Sequence, residues 1–237
     1  MPVPSTTCAT AVTSSTPFSD PKAIADYEAH TLRLVPGFAD MQRMAALLLA
    51  ERMPQDGRML VVGAGGGLEL RAFAQRHPGW QFDGVDPSAE MLRLAERTLG
   101  PLASRVQLHQ GHVDAAPAGP FDAAACLLTL HFTTQAERLS TLQEIHRRLK
   151  PGAPLVVVHF SFAQAQGQRS LWLSRYAAFA VSSGVDAEKA RAAADAIDER
   201  LCILAPEQDE ALLRQAGFAG MDVFYVGLAF RGWVAQA

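Results

Sequence analysis

From Arg58 onward, short continuous apolar runs alternate with longer segments whose apolar residues recur every three or four positions. The short runs fit strands buried on both faces, and the longer spacing fits amphipathic helices. The pattern predicts strands at 58–63, 80–85, 106–110, 121–128 and 155–160. Helices are predicted between them at 67–77, 88–99 and 134–149. Ser88 is placed as an N-cap, His77-Pro78-Gly79 as a stop, and Lys150-Pro151-Gly152 as a closing turn. A further helix is expected at 206–217, and two strands within 221–235, divided at Gly227 and Gly232. So short a connection permits only an antiparallel hairpin. Residues 163–201 have helical composition and no strand signal.

Strand–helix alternation with apolar strands implies a parallel sheet wrapped by helices. The fold class expected is α/β: a Rossmann-like, mostly parallel seven-stranded sheet with a C-terminal antiparallel hairpin, helices on both faces, and a helical insertion after the fifth strand. Ligands of such sheets bind past the carboxyl ends of the strands, where the strand order reverses. Residues 1–18, rich in Ser, Thr, Pro and Ala, read as a disordered tail. An ordered chain is expected to begin near Ser19, with Asp20-Pro21 as a helix start, and residues 19–237 to form one domain with 163–201 as its insertion or lid.

Composition narrows the function. The 237 residues carry 21 basic and 24 acidic side chains, a balance that argues against a dedicated nucleic-acid binder. No apolar run approaches the roughly 18 residues of a membrane span, and the N-terminus lacks the pattern of a secretory signal. Three widely separated cysteines (Cys8, Cys126 and Cys202) make neither a disulfide framework nor a zinc pattern, so a reducing, cytoplasmic setting is expected.

The strongest local signal is Val61-Val62-Gly63-Ala64-Gly65-Gly66-Gly67-Leu68, a strand running through glycines into a helix. Glycines suit a cofactor lying against the backbone, and the helix start beyond offers free N–H groups. Asp86 ends the second strand, where a carboxylate can accept both ribose hydroxyls of an adenosine. The spacing is GxGxG; the third glycine of the dinucleotide fingerprint GxGxxG is replaced by Leu68. This loop resembles the first motif of class I S-adenosylmethionine-dependent methyltransferases. Gly84-Val85-Asp86-Pro87-Ser88, Phe121-Asp122-Ala123-Ala124, Leu149-Lys150-Pro151-Gly152 and the segment from Leu212 to Phe218 resemble four further motifs of that family, in the same order. The resemblance implies S-adenosylmethionine as cofactor and in-line methyl transfer to a small-molecule acceptor. It also exposes a departure: the family commonly has an acid two positions before the first glycine, and here that position is Val61, with Glu69 as a candidate helper.

Within that superfamily the chain resembles the carboxy-S-adenosylmethionine synthases, in the stretch Arg33-Leu34-Val35-Pro36-Gly37-Phe38 and in residues 197–218. This resemblance implies cofactor contacts at Phe38, Gly63, Ala64, Gly65, Asp86, Pro87, His112, Val113 and Leu127. Phe38 stands for a tyrosine, His112 for an aspartate and Leu127 for an asparagine. The arginine that grips the extra carboxylate falls at Ala194, with Arg191 and Arg200 as neighbours. A modified-cofactor or tRNA-pathway enzyme is therefore one alternative, and a non-catalytic nucleoside-binding module another. Methyl transfer needs little acid–base machinery, and no catalytic residue is assigned; His131, past the fourth strand, is a candidate base. His109 and His112 have H-x-x-H spacing without a third ligand, so no metal is expected. Tyr27, Trp172, Tyr176 and Phe179 are candidates for an aromatic wall beside the acceptor. The insertion can close over substrate or build a homodimer contact, and its lack of a basic cluster disfavours RNA.

Overall fold

A computed structural model describes residues 27–237. The tail, the helix start at Asp20-Pro21 and Cys8 lie outside the described residues. The elements are α1 (Tyr27–Leu34), α2 (Phe38–Ala50), β1 (Arg58–Val62), α3 (Leu68–Arg76), β2 (Gln81–Asp86), α4 (Ala89–Leu99), β3 (Val106–Gln110) and β4 (Ala123–Leu127). They continue with α5 (Gln135–Arg148), β5 (Pro154–Phe160), α6 (Gln168–Ser182), α7 (Ala187–Arg200), α8 (Pro206–Gln215), β6 (Ala219–Gly227) and β7 (Phe230–Gln236).

One seven-stranded sheet carries them, in the order β3-β2-β1-β4-β5-β7-β6. The first five strands pair in parallel, and β7 runs antiparallel to both β5 and β6. The apolar runs have the two-sided burial that their composition demands. Met59 and Val61 enter one core with Ala123, Ala125, Leu127, Val156 and Val158. Leu60 and Val62 enter the other, with Ala124, Cys126, Leu155 and Val157. Because successive side chains point to opposite faces, a strand covered on both sides reads as unbroken hydrophobicity. Helices α2, α3 and α6 cover the first face, and α5 and α8 cover the second.

The helix ends follow local chemistry. Ser88 caps α4 by accepting from the Met91 N–H at 3.2 Å. Thr134 and Glu137 form a reciprocal capping box at the start of α5. One expectation needed revision, at Gly232. The chain before β1 also forms a helix, α2, whose buried Phe38, Met41, Gln42, Ala45, Ala46 and Leu49 follow helical spacing. Pro36 and the left-handed Gly37 (φ 61°) separate it from α1. Gly232 does not divide a strand: it lies inside β7, opposite Val158 of β5. Residues 163–201 contain the helices α6 and α7, which pack on each other and join at Gly184, with Leu173, Tyr176, Ala180, Ala190 and Ala194 buried.

Between α5, β5 and α8 lies a polar cluster inside the second core. Arg138 Nη1 donates to Asp209 Oδ1, and Nη2 donates to the Cys202 carbonyl at 2.6 Å; the Arg138 and Asp209 side chains are each 1% exposed. His159 Nε2 lies 3.2 Å from the same carboxylate oxygen. Burial alone would raise the Asp209 carboxyl, but His159 and Arg138 hold it below its usual range. Removing one member of such a pair strands the other charge in a dry interior. Asp209→Ala should therefore cost about 3–5 kcal/mol of stability, read as a lowered urea midpoint. A midpoint equal to the parent's would show that the pair does not hold α8 in place.

Candidate functional site

The strand order reverses between β1 and β4, and there the chain past the strand ends encloses a cavity of about 280 Å³. Its wall comes from the turn after β1 and the start of α3 (Gly63, Gly65, Glu69), the end of β2 and the turn after it (Asp86, Pro87, Ser88), Gly111 and His112 after β3, and Leu127–Leu130, Phe132 and Thr133 at and after the end of β4. Tyr27 of α1 with Phe38 and Gln42 of α2 close it from above the sheet.

Asp86 organises this wall. One carboxylate oxygen accepts from the Gly65 N–H at 2.9 Å, the other from the Ser88 N–H at 2.9 Å. Each oxygen keeps a lone pair for a further donor. Burial raises the Asp86 carboxyl, and the two amides and His112 oppose that shift. The glycines have more than one task. Gly63 (φ 74°) lies so close to Thr129 that an added Cβ would fall 2.0 Å from its Oγ1. Gly67 (φ 78°) would meet the Ala95 backbone of α4 at 2.9 Å. Helix packing, as much as ligand approach, thus requires glycine there. The Tyr27 ring lies over Gly65 and Gly66.

Seven of the nine expected contact residues stand on the cavity wall: Phe38, Gly63, Gly65, Asp86, Pro87, His112 and Leu127. Ala64 and Val113 do not. The Ala64 methyl is fully buried facing Gly84, and Val113 packs into the second core, so both side chains are spent on packing. Gln42, Met91, Leu128, Thr129, Thr133 and Thr141 are wall residues that sequence reasoning missed. Their helical or loop positions give no periodic signal that singles them out, although Leu128 is held at φ 57°, uncommon for a residue with a branched side chain.

Other candidates leave the site. His131 is 4% exposed, sits between Phe132 and Phe160, and its Nδ1 faces the Phe160 N–H. Burial, then His159 and Arg138, push its pKa well below the usual range, so it is a neutral core residue off the cavity wall. His109 Nε2 is bound to Asp83 Oδ1 at 2.8 Å, beside Arg58, and so is not paired with His112 for a metal. No group of three or more metal-binding side chains occurs among the described residues. Of the aromatic wall, only Tyr27 lines the cavity. Tyr176 packs on Phe160 and Phe230 in the core, and Trp172 stacks with Phe162 under Arg175. Helix α6 therefore supports the site from behind instead of facing it.

Glu69, in the first turn of α3, is 7% exposed. Burial raises its carboxyl to about 8, its own backbone amide opposes this, and Asp86 adds to it. A raised carboxyl means that the native state keeps a proton the unfolded chain loses between about pH 4.5 and 8, so stability falls as pH rises through that window. The fall should reach a few kcal/mol, because each tenfold difference in proton affinity between native and unfolded states is worth about 1.4 kcal/mol. Comparing urea midpoints of parent and Glu69→Gln at several pH values checks this: the substitution should flatten the decline. Parallel curves would show that Glu69 is ionised throughout.

A methyltransferase-domain family model matches residues 59–152, from β1 to the turn before β5. The carboxy-S-adenosyl-L-methionine synthase of Chromohalobacter salexigens is 26% identical over 227 residues, covering 91% of this chain and 82% of that protein. The trans-aconitate 2-methyltransferase of Azoarcus sp. is 34% identical over 123 residues, 51% of this chain and 46% of that enzyme. The solved structure of an O-methyltransferase family protein from Burkholderia thailandensis superposes with a TM-score of 0.65 at 16% identity, covering 92% of this chain. This chain spans 60% of that longer protein. No helix among the described residues is long and apolar enough to cross a membrane. The glycine loop, the strand-tip aspartate and the reversed hairpin occur together in this sheet order, and residues 59–152 within it match a methyltransferase domain.

Proposed function

We propose that this protein transfers the methyl group of S-adenosylmethionine to a small, largely apolar acceptor held between the strand ends and helices α1 and α2. The observation that carries this reading is the chemistry of the wall: a carboxylate and glycine amides at one end, and apolar surface with Gln42 at the other. The residues present fit the cofactor. Gly65 stands on the cavity wall, where an added Cβ would meet the Tyr27 hydroxyl at 3.4 Å and the end of Met91 at 3.6 Å. Asp86 keeps acceptor capacity for ribose hydroxyls, and Val85, Met91 and Leu127 offer apolar contact to an adenine, with His112 at the exposed rim. When bound, the cofactor supplies an activated methyl group on a sulfonium.

The chain's own work is then to bind, orient and exclude water. Phe38 and Gln42, both buried, and Tyr27 are assigned the acceptor side; Gln42 supplies a donor and an acceptor that can fix a polar atom of an otherwise apolar molecule. No general base is invoked, and His131 is excluded from that role by its burial in the core. Residues 19–237 are read as one domain, with the α6–α7 hairpin as its insertion.

Similarity to the synthase extends over most of the chain and favours a second reading, in which the cofactor carries an extra carboxylate. The cavity argues against it. No Lys or Arg among the described residues lines the wall, Ala194 is buried at the α6–α7 contact, and Arg191 and Arg200 are exposed. A carboxylate inside would lack a counter-charge.

Calorimetric titration with S-adenosylmethionine, its demethylated product and NADH tests the cofactor. Binding of the first two and not the third is expected; tight NADH binding alone would overturn the reading. Asp86→Ala should weaken cofactor binding by about 1.5–3 kcal/mol, the scale of hydrogen bonds to a charged group. Because Asp86 also fastens Gly65, part of that loss is loop order, and Asp86→Asn should recover less than half of it. For the acceptor, Gln42→Leu should raise KM while product affinity stays within about threefold. Tyr176→Ala should instead lower stability by about 3–5 kcal/mol, as truncation of a core aromatic does. A Tyr176→Ala protein of parental stability and altered acceptor choice would return α6 to the substrate face.

A further inference from the structure

Glu69 lines the cavity together with the Tyr27 phenol from α1 and the Asp86 carboxyl from the tip of β2. Asp86 is the charged group that acts on the Glu69 carboxyl. His112, the only imidazole on the wall among the described residues, acts on Asp86 and on Glu137 of α5, and none of those residues brings a Lys or Arg to the cavity. A buried carboxyl in the first turn of a helix has the helix dipole in its favour as an anion. Here burial and Asp86 override that advantage and keep the proton on Glu69 at neutral pH. Both acids line one apolar cavity, and no Lys or Arg is among its described wall residues. A positive group that enters from the ligand gains a carboxylate partner at short range in a dry setting, where charge pairing is strong. The neighbouring strand offers no alternative, since Val61 is fully buried and apolar.

We propose that Glu69 is the residue that recognises the ammonium of the ligand's amino-acid end, accepting it as a carboxylate. The Glu69 O–H bond breaks as the ammonium arrives, its electron pair stays on the carboxylate oxygen, and the proton leaves to solvent. Binding is thereby coupled to release of one proton. The cation of the ligand takes over the neutralising role that the proton has in the free protein. The assignment rests on the cofactor reading above, and the experiment separates the two.

The probes are S-adenosylhomocysteine, which has the amino-acid end, and methylthioadenosine, which shares the adenosine and thioether but lacks that end. Calorimetry at about pH 6.5 in buffers of different ionisation enthalpy counts protons. The parent should release close to one proton per S-adenosylhomocysteine and none with methylthioadenosine. Glu69→Gln should abolish the release and weaken S-adenosylhomocysteine by about tenfold, while methylthioadenosine changes by less than about twofold. Retained methylthioadenosine binding also shows that the variant is folded. On the parent alone, S-adenosylhomocysteine affinity should rise by up to about tenfold per pH unit between about pH 5.5 and 7.5, with methylthioadenosine flat. Equal weakening of both ligands, unchanged S-adenosylhomocysteine affinity in the variant, or no proton release by the parent would each overturn the assignment. Failure of both ligands to bind the parent would overturn the cofactor reading itself, and the role of Glu69 with it.

Discussion

Burial of β1, β4 and β5 on both faces is the constraint from which the rest of the molecule follows. A strand with no solvent face can place polar groups only beyond its ends, because any charge along it would be desolvated. Ala123 to Leu127 and Pro154 to Phe160 obey this almost without exception. His159, the one titratable side chain inside β5, is accommodated beside Asp209 and Arg138 in the second core. Polar chemistry is thereby driven to the carboxyl ends of the strands, and the reversal of strand order between β1 and β4 parts the loops enough to leave a cavity there.

At that end, Asp86 joins structure to binding. Its two oxygens hold the Gly65 and Ser88 amides, so β2, the glycine loop and the start of α4 are fixed by a single carboxylate. The same arrangement leaves acceptor capacity directed at the cavity. A residue with both duties cannot be altered for one without the other. Glu69 differs: it is buried in the first turn of α3 on the same cavity wall, and burial, with Asp86 adding to it, raises its carboxyl.

The closing elements divide the remaining labour. Helix α1 brings Tyr27 over the glycine loop and is tied to α3 by the Glu28–Arg71 ion pair. Helix α2 contributes Phe38 and Gln42 to the wall. The α6–α7 hairpin buries Tyr176 against Phe160 and Phe230 and so stiffens the far side of β5 and β7. The first two helices thus bring a buried amide and aromatic surface to the cavity.

Much of this was legible in the residues themselves. Unbroken apolar runs fix two-sided burial, hence a parallel sheet, and the short link at Gly227 fixes an antiparallel end. The GxGxG loop and Asp86 mark the cavity end of the sheet, because the loop and the strand-tip carboxylate meet there, Gly65 N–H on Asp86. What the sequence could not decide were contacts between residues far apart in the chain. Periodicity shows that a residue such as Tyr176 or His131 lies on a face, but not whether that face meets a cavity or a core; only the packing of Phe160 against both answers that. In the same way Ala64 and Gly65 are adjacent in a motif, yet the Ala64 methyl packs against Gly84 while Gly65 lines the cavity. Local pattern determines which elements form, whereas the directions in which their side chains converge are set by the sheet order and the helix crossings, which exist only in the folded chain.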